Sequence, residues 1–177
     1  MSSDDNLIIE TKRLRLRPTV LEDAPFILEL MNTDDWLKYI GNRNISSEQD
    51  AADYIARKIQ PQFERLGFGN FTVTEKASNK PIGTCGLYDR EGLEGFDLGF
   101  AFLPEFYKKS YGFESADSLM KFAEQQLSIN QLNAITSKQN IASQKLLIKL
   151  GFSFNELIQL AGDDEELMLY RWSTEKK

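Results

Sequence analysis

Residues Phe96 to Leu103 read Phe-Asp-Leu-Gly-Phe-Ala-Phe-Leu, nearly all apolar, and Pro104 follows at once. The run is short for a buried helix and suits a strand covered on both faces, at the centre of a sheet. A Tyr-Lys-Lys-Ser-Tyr-Gly segment comes next. The helical pattern Tyr111 to Leu127 then puts Ala116, Leu119, Met120, Ala123 and Leu127 on one face. A buried strand, a short loop and a helix in that order point to a layered α/β architecture.

The flanking segments extend the pattern. Leu7 to Arg17 reads as a strand in which Leu14 and Leu16 face one way and Arg13, Arg15 and Arg17 the other, ended by Pro18. Thr19 to Glu22 has capping-box spacing for a helix to about Met31, and Pro25 in a first turn moves its start nearer Glu22. Asn32 to Asn44 reads as irregular. Ser46 or Ser47 caps a second helix through Ile59, with Pro61 breaking or kinking it and Gly67 closing the segment beyond. Gly69–Glu75, Ile82–Tyr88, Leu132–Ser137, Phe152–Ile158 and Glu166–Trp172 read as strands. Ile141 to Leu150 reads as a helix stopped by Gly151. The expected order is β α α β β β α β α β β, with about seven strands in one domain from about Leu7 to about Trp172. A length of 177 residues with 41% apolar residues fits one core.

Composition narrows the chemistry. The chain has no histidine, which excludes a Ser-His-Asp triad, a Cys-His dyad, an HExxH zinc site and any imidazole base. Cys85 is the only cysteine, so no internal disulfide or CxxC site forms, and in a strand it reads as a buried inert thiol. No metal site is expected. Lys and Arg number 21 against 27 Asp and Glu, a net charge of −6, which disfavours broad nucleic-acid binding and is compatible with a cationic substrate. Met1 to Asn6 is polar and acidic, unlike a secretory signal, and no apolar stretch approaches the ~20 residues that span a bilayer. A cytoplasmic protein without membrane contact is expected, as a monomer or homodimer.

Two segments carry candidate chemistry. At the start of the Tyr111 helix, Lys108 and Lys109 precede the small residues Ser110 and Gly112. Unpaired N–H groups in a first helical turn, beside a small residue, suit an anion cradle, the alternative being that Lys108 and Lys109 are simply solvated. Neither GxxxxGK[ST] nor GxGxxG is present, so this is not a Walker loop or a dinucleotide fingerprint. In the second segment Asn140 caps the next helix and Ser143 lies three residues on, on the same face.

Together, in order, these segments resemble the GNAT superfamily of acetyl-CoA-dependent N-acetyltransferases, and most of all the branch that acetylates N-terminal amines of ribosomal proteins. The resemblance rests on Thr11-Lys-Arg-Leu-Arg-Leu-Arg17 with Glu22-Asp-Ala24, Leu98-Gly-Phe-Ala-Phe-Leu-Pro104, Tyr111-Gly-Phe-Glu114 with Ser115-Ala116, and Asn140-Ile-Ala-Ser143 with Lys149-Leu-Gly-Phe152. It implies a mixed, mostly antiparallel sheet flanked by helices, with residues 1–177 as one domain. Three positions depart from the family pattern. The pyrophosphate loop, written Arg/Gln-x-x-Gly-x-Gly/Ala, has Tyr107 first and Ser110 for its first glycine, and the common acid Tyr seven residues after the Asn is Leu147.

The resemblance implies direct attack of an amine on the thioester of acetyl-CoA, without an acyl-enzyme. The backbone of Phe102 and Leu103 would hold the pantetheine arm. The N–H groups of Lys109, Ser110, Tyr111, Gly112 and Phe113 would hold the pyrophosphate, with charge from Lys108. Asn140 and Ser143 would adjoin the sulfur, and Ser143 would help to protonate the leaving thiolate. On the amine side a carboxylate acting through water is expected, with Asp97 first, although it reads equally as a strand-end carboxylate at the surface, and Glu94 and Glu114 behind it. Trp36 and Tyr39 are candidates for the acceptor pocket. The acids Asp163 to Glu166 read as a solvated turn that also suits a cationic peptide. The acceptor is expected to be a protein or peptide amine. The alternatives are a small-molecule amine, or a member that binds acyl-CoA without turnover.

Overall fold

The computed structural model describes residues 7–175; Met1–Asn6, where the reading of a missing secretory signal falls, lies outside the described residues. Eight strands form one sheet in the order β1-β2-β3-β4-β5-β6-β8-β7. The strand expected over 7–17 is two. β1 (Ile9–Glu10) and β2 (Leu14–Pro18) pair antiparallel about a turn in which the Thr11 hydroxyl accepts the N–H of Leu14 at 2.9 Å. That split accounts for the eighth strand.

A 3₁₀ turn (Leu21–Asp23) leads into α1 (Ala24–Met31), with Pro25 in its first turn as expected. The capping box expected from Thr19 and Glu22 does not form. Thr19 is buried and shares a hydrogen bond with Thr72, while Asp23 accepts the Val20 N–H at 3.0 Å. The stretch expected to be irregular holds α2 (Asp34–Tyr39), capped by the Thr33 hydroxyl. The second expected helix is longer. α3 (Glu48–Tyr54) continues through a π-helical turn (Ile55–Ile59) into α4 (Gln60–Leu66). Pro61 follows directly on the π-helical turn, where the regular i→i−4 ladder is already interrupted, and Gly67 ends the helix at φ 78°.

The remaining elements are β3 (Asn70–Glu75), β4 (Lys80–Tyr88), β5 (Asp97–Phe102), α5 (Tyr111–Leu127), β6 (Gln131–Ser137), α6 (Ile141–Lys149), β7 (Ser153–Gln159) and β8 (Glu166–Ser173). The sheet is antiparallel except between β5 and β6. Its two faces differ. Leu14, Leu16, Val73, Cys85, Leu87 and Leu98 form one buried cluster with Ala116, Leu119 and Ala123 of α5. The period-two alternation puts Asn70, Thr72, Thr84, Gly86 and Gly99 on the opposite face. Over that side Ile27, Leu30, Ala51 and Ile55 of the first helices make a second cluster, against which Ala101 packs.

Candidate active site

β5 and β6 share a single register pair, Asp97 with Asn133, closed by the Asn133 N–H donating to the Phe96 carbonyl at 2.9 Å. Beyond it the two strands part. The Leu103 N–H donates to Ile82 of β4 at 2.9 Å, so antiparallel alternation turns the backbone groups of Gly99 and Ala101 to β4 as well. The same alternation turns those of Phe100 and Phe102 into the gap, past the Asp97–Asn133 pair. Leu103 has its N–H committed to β4 and its carbonyl accepting from Phe106, so the open ladder ends at Phe102.

The start of α5 lies beyond the end of β5. A 3₁₀ turn (Pro104–Phe106) is followed by Lys108 at φ 59° and Ser110 at φ 62°, two non-glycine residues in the left-handed region. The first backbone bond here is Glu114 N–H to the Ser110 carbonyl at 3.1 Å. The N–H groups of Tyr111, Gly112 and Phe113 precede it, and the Ser110 side chain makes no capping bond to them. A Cβ on Gly112 would stand 2.9 Å from Leu146 Cδ2, so this glycine seats α5 against α6. The Lys109 ammonium lies 5.4 Å from the Phe106 ring centroid and that of Lys149 4.4 Å from the Phe113 ring centroid. Tyr107, first residue of the loop, sits beside Asp35 of α2. Loss of solvent and that carboxylate push its hydroxyl up to about 12.

α6 begins at Asn140, whose Oδ1 accepts the Ser143 N–H at 3.2 Å. Asn140, Ser143 and Leu147 all line a cleft of about 420 Å³ that also takes in Asp97, Gly99, Phe100 and Ala101 of β5 and Thr136 and Ser137 of β6. The cleft therefore passes through the gap between the strands. Leu147 is 1% exposed, its side chain part of the core.

The opposite wall of the cleft includes Trp36 and Tyr39 of α2, Tyr54, Lys58 and Tyr88. Trp36 Nε1 is buried and without a hydrogen-bond partner among the described residues. Asp97 is 1% exposed, not a surface carboxylate, and both its oxygens accept from Arg90 at 3.2 Å. Burial pushes its carboxyl above the ordinary range, against the opposing pull of the Arg90 guanidinium. Glu94 is exposed. Glu114 accepts from the Thr11 hydroxyl at 2.6 Å, the Arg13 N–H at 2.9 Å and Arg13 Nε at 2.7 Å, a clamp between the β1–β2 turn and α5. Asp163 and Glu165 of the β7–β8 turn lie at the cleft, whereas Glu166 pairs with Lys138.

Reasoning on the sequence did not single out Arg90, Tyr88 or Asn70. The Tyr88 hydroxyl donates to Asn70 Oδ1 at 2.5 Å, and its ring lies across the cross-strand pair Gly86 and Gly99. A Cβ on either glycine would come within 2.7 Å of that ring. Glycine inside a strand marks such close approaches, and Gly86 and Gly99 were the available signal. Cys85 is buried as expected, its thiol pushed up to about 12 by burial.

Known proteins resemble this chain in sequence and in fold. The chain is 25% identical over 146 residues to the uncharacterized N-acetyltransferase YoaA of Bacillus subtilis (strain 168), covering 82% of each. The structure of an acetyltransferase from Agrobacterium tumefaciens str. C58 superposes with a TM-score of 0.80 at 20% identity, covering 95% of both chains. RimL, a ribosomal L7/L12 alpha-N-protein acetyltransferase in complex with coenzyme A, superposes with a TM-score of 0.74 at 16% identity, covering 94% of this chain and 98% of the other. The family profile described as Acetyltransferase (GNAT) domain matches residues 13–153, from β2 to the start of β7. That span takes in the parted strands, the start of α5 and the Asn140 cap, and by it the chain belongs to the GNAT acetyltransferases.

Proposed function

We propose that the chain transfers the acetyl group of acetyl-CoA to a primary amine of a protein or peptide N-terminus, by direct attack. The carrying observation is the gap between β5 and β6, which the aromatic cleft enters, with the start of α5 following the end of β5 and Gly112 packed near Phe102. Acetyl-CoA supplies an activated thioester carbonyl. The residues present suit it, with open backbone groups up to Phe102, uncapped N–H groups at Tyr111, Gly112 and Phe113, and Lys108 and Lys109 beside them.

The protein's part is positioning and polarisation. The Phe102 N–H, fixed by the sheet, polarises a carbonyl in the gap, with no reorganisation as charge develops. Ser143, held by Asn140, donates to the departing sulfur. Asp97, with its raised carboxyl, takes the amine proton through water while Arg90 holds both its oxygens. Trp36 and Tyr39 wall the acceptor side, and Asp163 and Glu165 draw a cationic amine towards the cleft.

Calorimetry with acetyl-CoA tests the first half, and no heat at high micromolar concentration would sink it. Thiol release with serine- or alanine-initiated peptides, against spermidine and free amino acids, tests the second. Faster release with the small amines would move the acceptor to that class. Binding without release from any of them would make the chain a non-catalytic acyl-CoA binder.

A further inference from the structure

We propose that Lys149 holds the ribose 3′-phosphate of the coenzyme and so selects the 3′-phosphorylated form. The inference rests on the acetyl-CoA reading above. α6 serves as its ruler. Ser143 lies at the cleft, Leu146 touches the position a Gly112 Cβ would take, and Lys149 reaches over Phe113. These three residues step along the helix by ~4.5 Å each. They run from the proposed sulfur site, past the anion cradle, to a cation beyond it.

Lys149 is placed for a phosphate in three ways. Its ammonium is seated 4.4 Å from the centroid of the Phe113 ring, whose own N–H is the last of the cradle, so the charge has a defined position. It forms no salt bridge among the described residues, although eight such pairs are present. Lys108 and Lys109 flank the same helix start, while the one carboxylate of that first turn, Glu114, is taken up by Thr11 and Arg13. The cradle N–H groups suit a diphosphate bridge. A phosphate monoester carries a charge of about −1.5 to −2 and is matched by a point cation such as an ammonium.

Coenzyme A and dephospho-coenzyme A differ by this phosphate alone. Titration calorimetry of both ligands, at one ionic strength, is run on the unmodified protein and on Lys149→Met, Lys149→Arg and Lys145→Met. The unmodified protein is expected to bind coenzyme A about tenfold more tightly. Lys149→Met keeps the aliphatic stem on Phe113 and should bring the two ligands within about twofold, by weakening coenzyme A alone. Lys149→Arg and Lys145→Met should keep the preference. Equal binding of both ligands by the unmodified protein overturns the assignment and leaves the acetyl-CoA reading standing, as does a preference that survives in Lys149→Met. Binding of neither ligand overturns both.

Discussion

At the residue scale the sharpest prediction concerns Ser143. Its backbone is fixed by Asn140, so Ser143→Ala removes a hydroxyl without loosening α6. The expected result is a kcat lower by about 10–100-fold with the acetyl-CoA Kd within about twofold, read by thiol release and calorimetry. An unchanged kcat removes Ser143 from the mechanism. Ser110 yields a second prediction. It stands at φ 62°, where the family has glycine and an L-residue loses roughly 1–2 kcal/mol. Ser110→Gly relieves this strain but adds freedom to the unfolded chain, for a net gain of about 0.5–1 kcal/mol. The Tm should rise by about 1–4 °C. A β-branched residue has no such conformation available, so Ser110→Val should instead abolish acetyl-CoA binding while Ser110→Gly retains it. Gly112 is less informative, because its missing Cβ faces Leu146 rather than the cradle and a valine there would act through helix packing.

At the element scale the two faces of the sheet make separable predictions. The Tyr88 ring lies flat on the acceptor face because Gly86 and Gly99 leave room for it across β4 and β5. Gly99→Ala puts a methyl 2.7 Å from Tyr88 Cε2 and must lift the ring. Stability should fall by about 1–3 kcal/mol and the KM for the amine should rise, while the acetyl-CoA Kd, set at α5 and the gap, stays unchanged. A shift in that Kd instead would mean that the two faces are coupled. Much of this layout was legible in the sequence. The apolar run at Phe96 to Leu103 gave a central strand, here β5, and the amphipathic spacing of Tyr111 to Leu127 gave α5 to the residue. What escaped was set by side chains acting over short range or across the sheet. α2 is six residues long and rests on the Thr33 cap with Asp34 and Asp35 behind it, too few turns for a periodic signal. The β1–β2 turn depends on one Thr11 hydroxyl and on Glu114, more than a hundred residues away. Asp97 read as a strand-end acid because its burial and its partner Arg90 come from tertiary packing, which no local spacing records.

For the whole molecule, the missing imidazole becomes a statement about pH. No side chain with an ordinary pKa titrates between about pH 6 and 8 in a chain without histidine, and burial pushes the one thiol up to about 12. Two carboxylates fasten the N-terminal segment to the rest. Burial alone raises Asp23, but the bidentate Arg17 at 2.7 Å, the Val20 N–H and the Thr72 hydroxyl outweigh it and hold the group below its ordinary 3.8. Burial likewise raises Glu114, and the Thr11 hydroxyl with the N–H and guanidinium of Arg13 holds it below 4.5. A carboxyl lowered in the folded state contributes stability that is present above its unfolded pKa and lost as pH falls through the folded one. Asp97, raised by burial, has the opposite sign and gains on protonation, so it partly offsets the loss. The Tm should therefore fall below about pH 4.5, and a step at higher pH is expected only from Asp97, so that it disappears in Asp97→Asn. Asp23→Asn and Glu114→Gln should each lower the Tm at pH 7 and flatten the acid limb, because each removes a group whose charged form the fold prefers. Asp97→Asn should steepen that limb. Thermal melts of the unmodified protein and of Asp97→Asn across this range decide the matter, and a step of several degrees between about pH 6.5 and 8.5 that survives in Asp97→Asn would show that another group governs stability there.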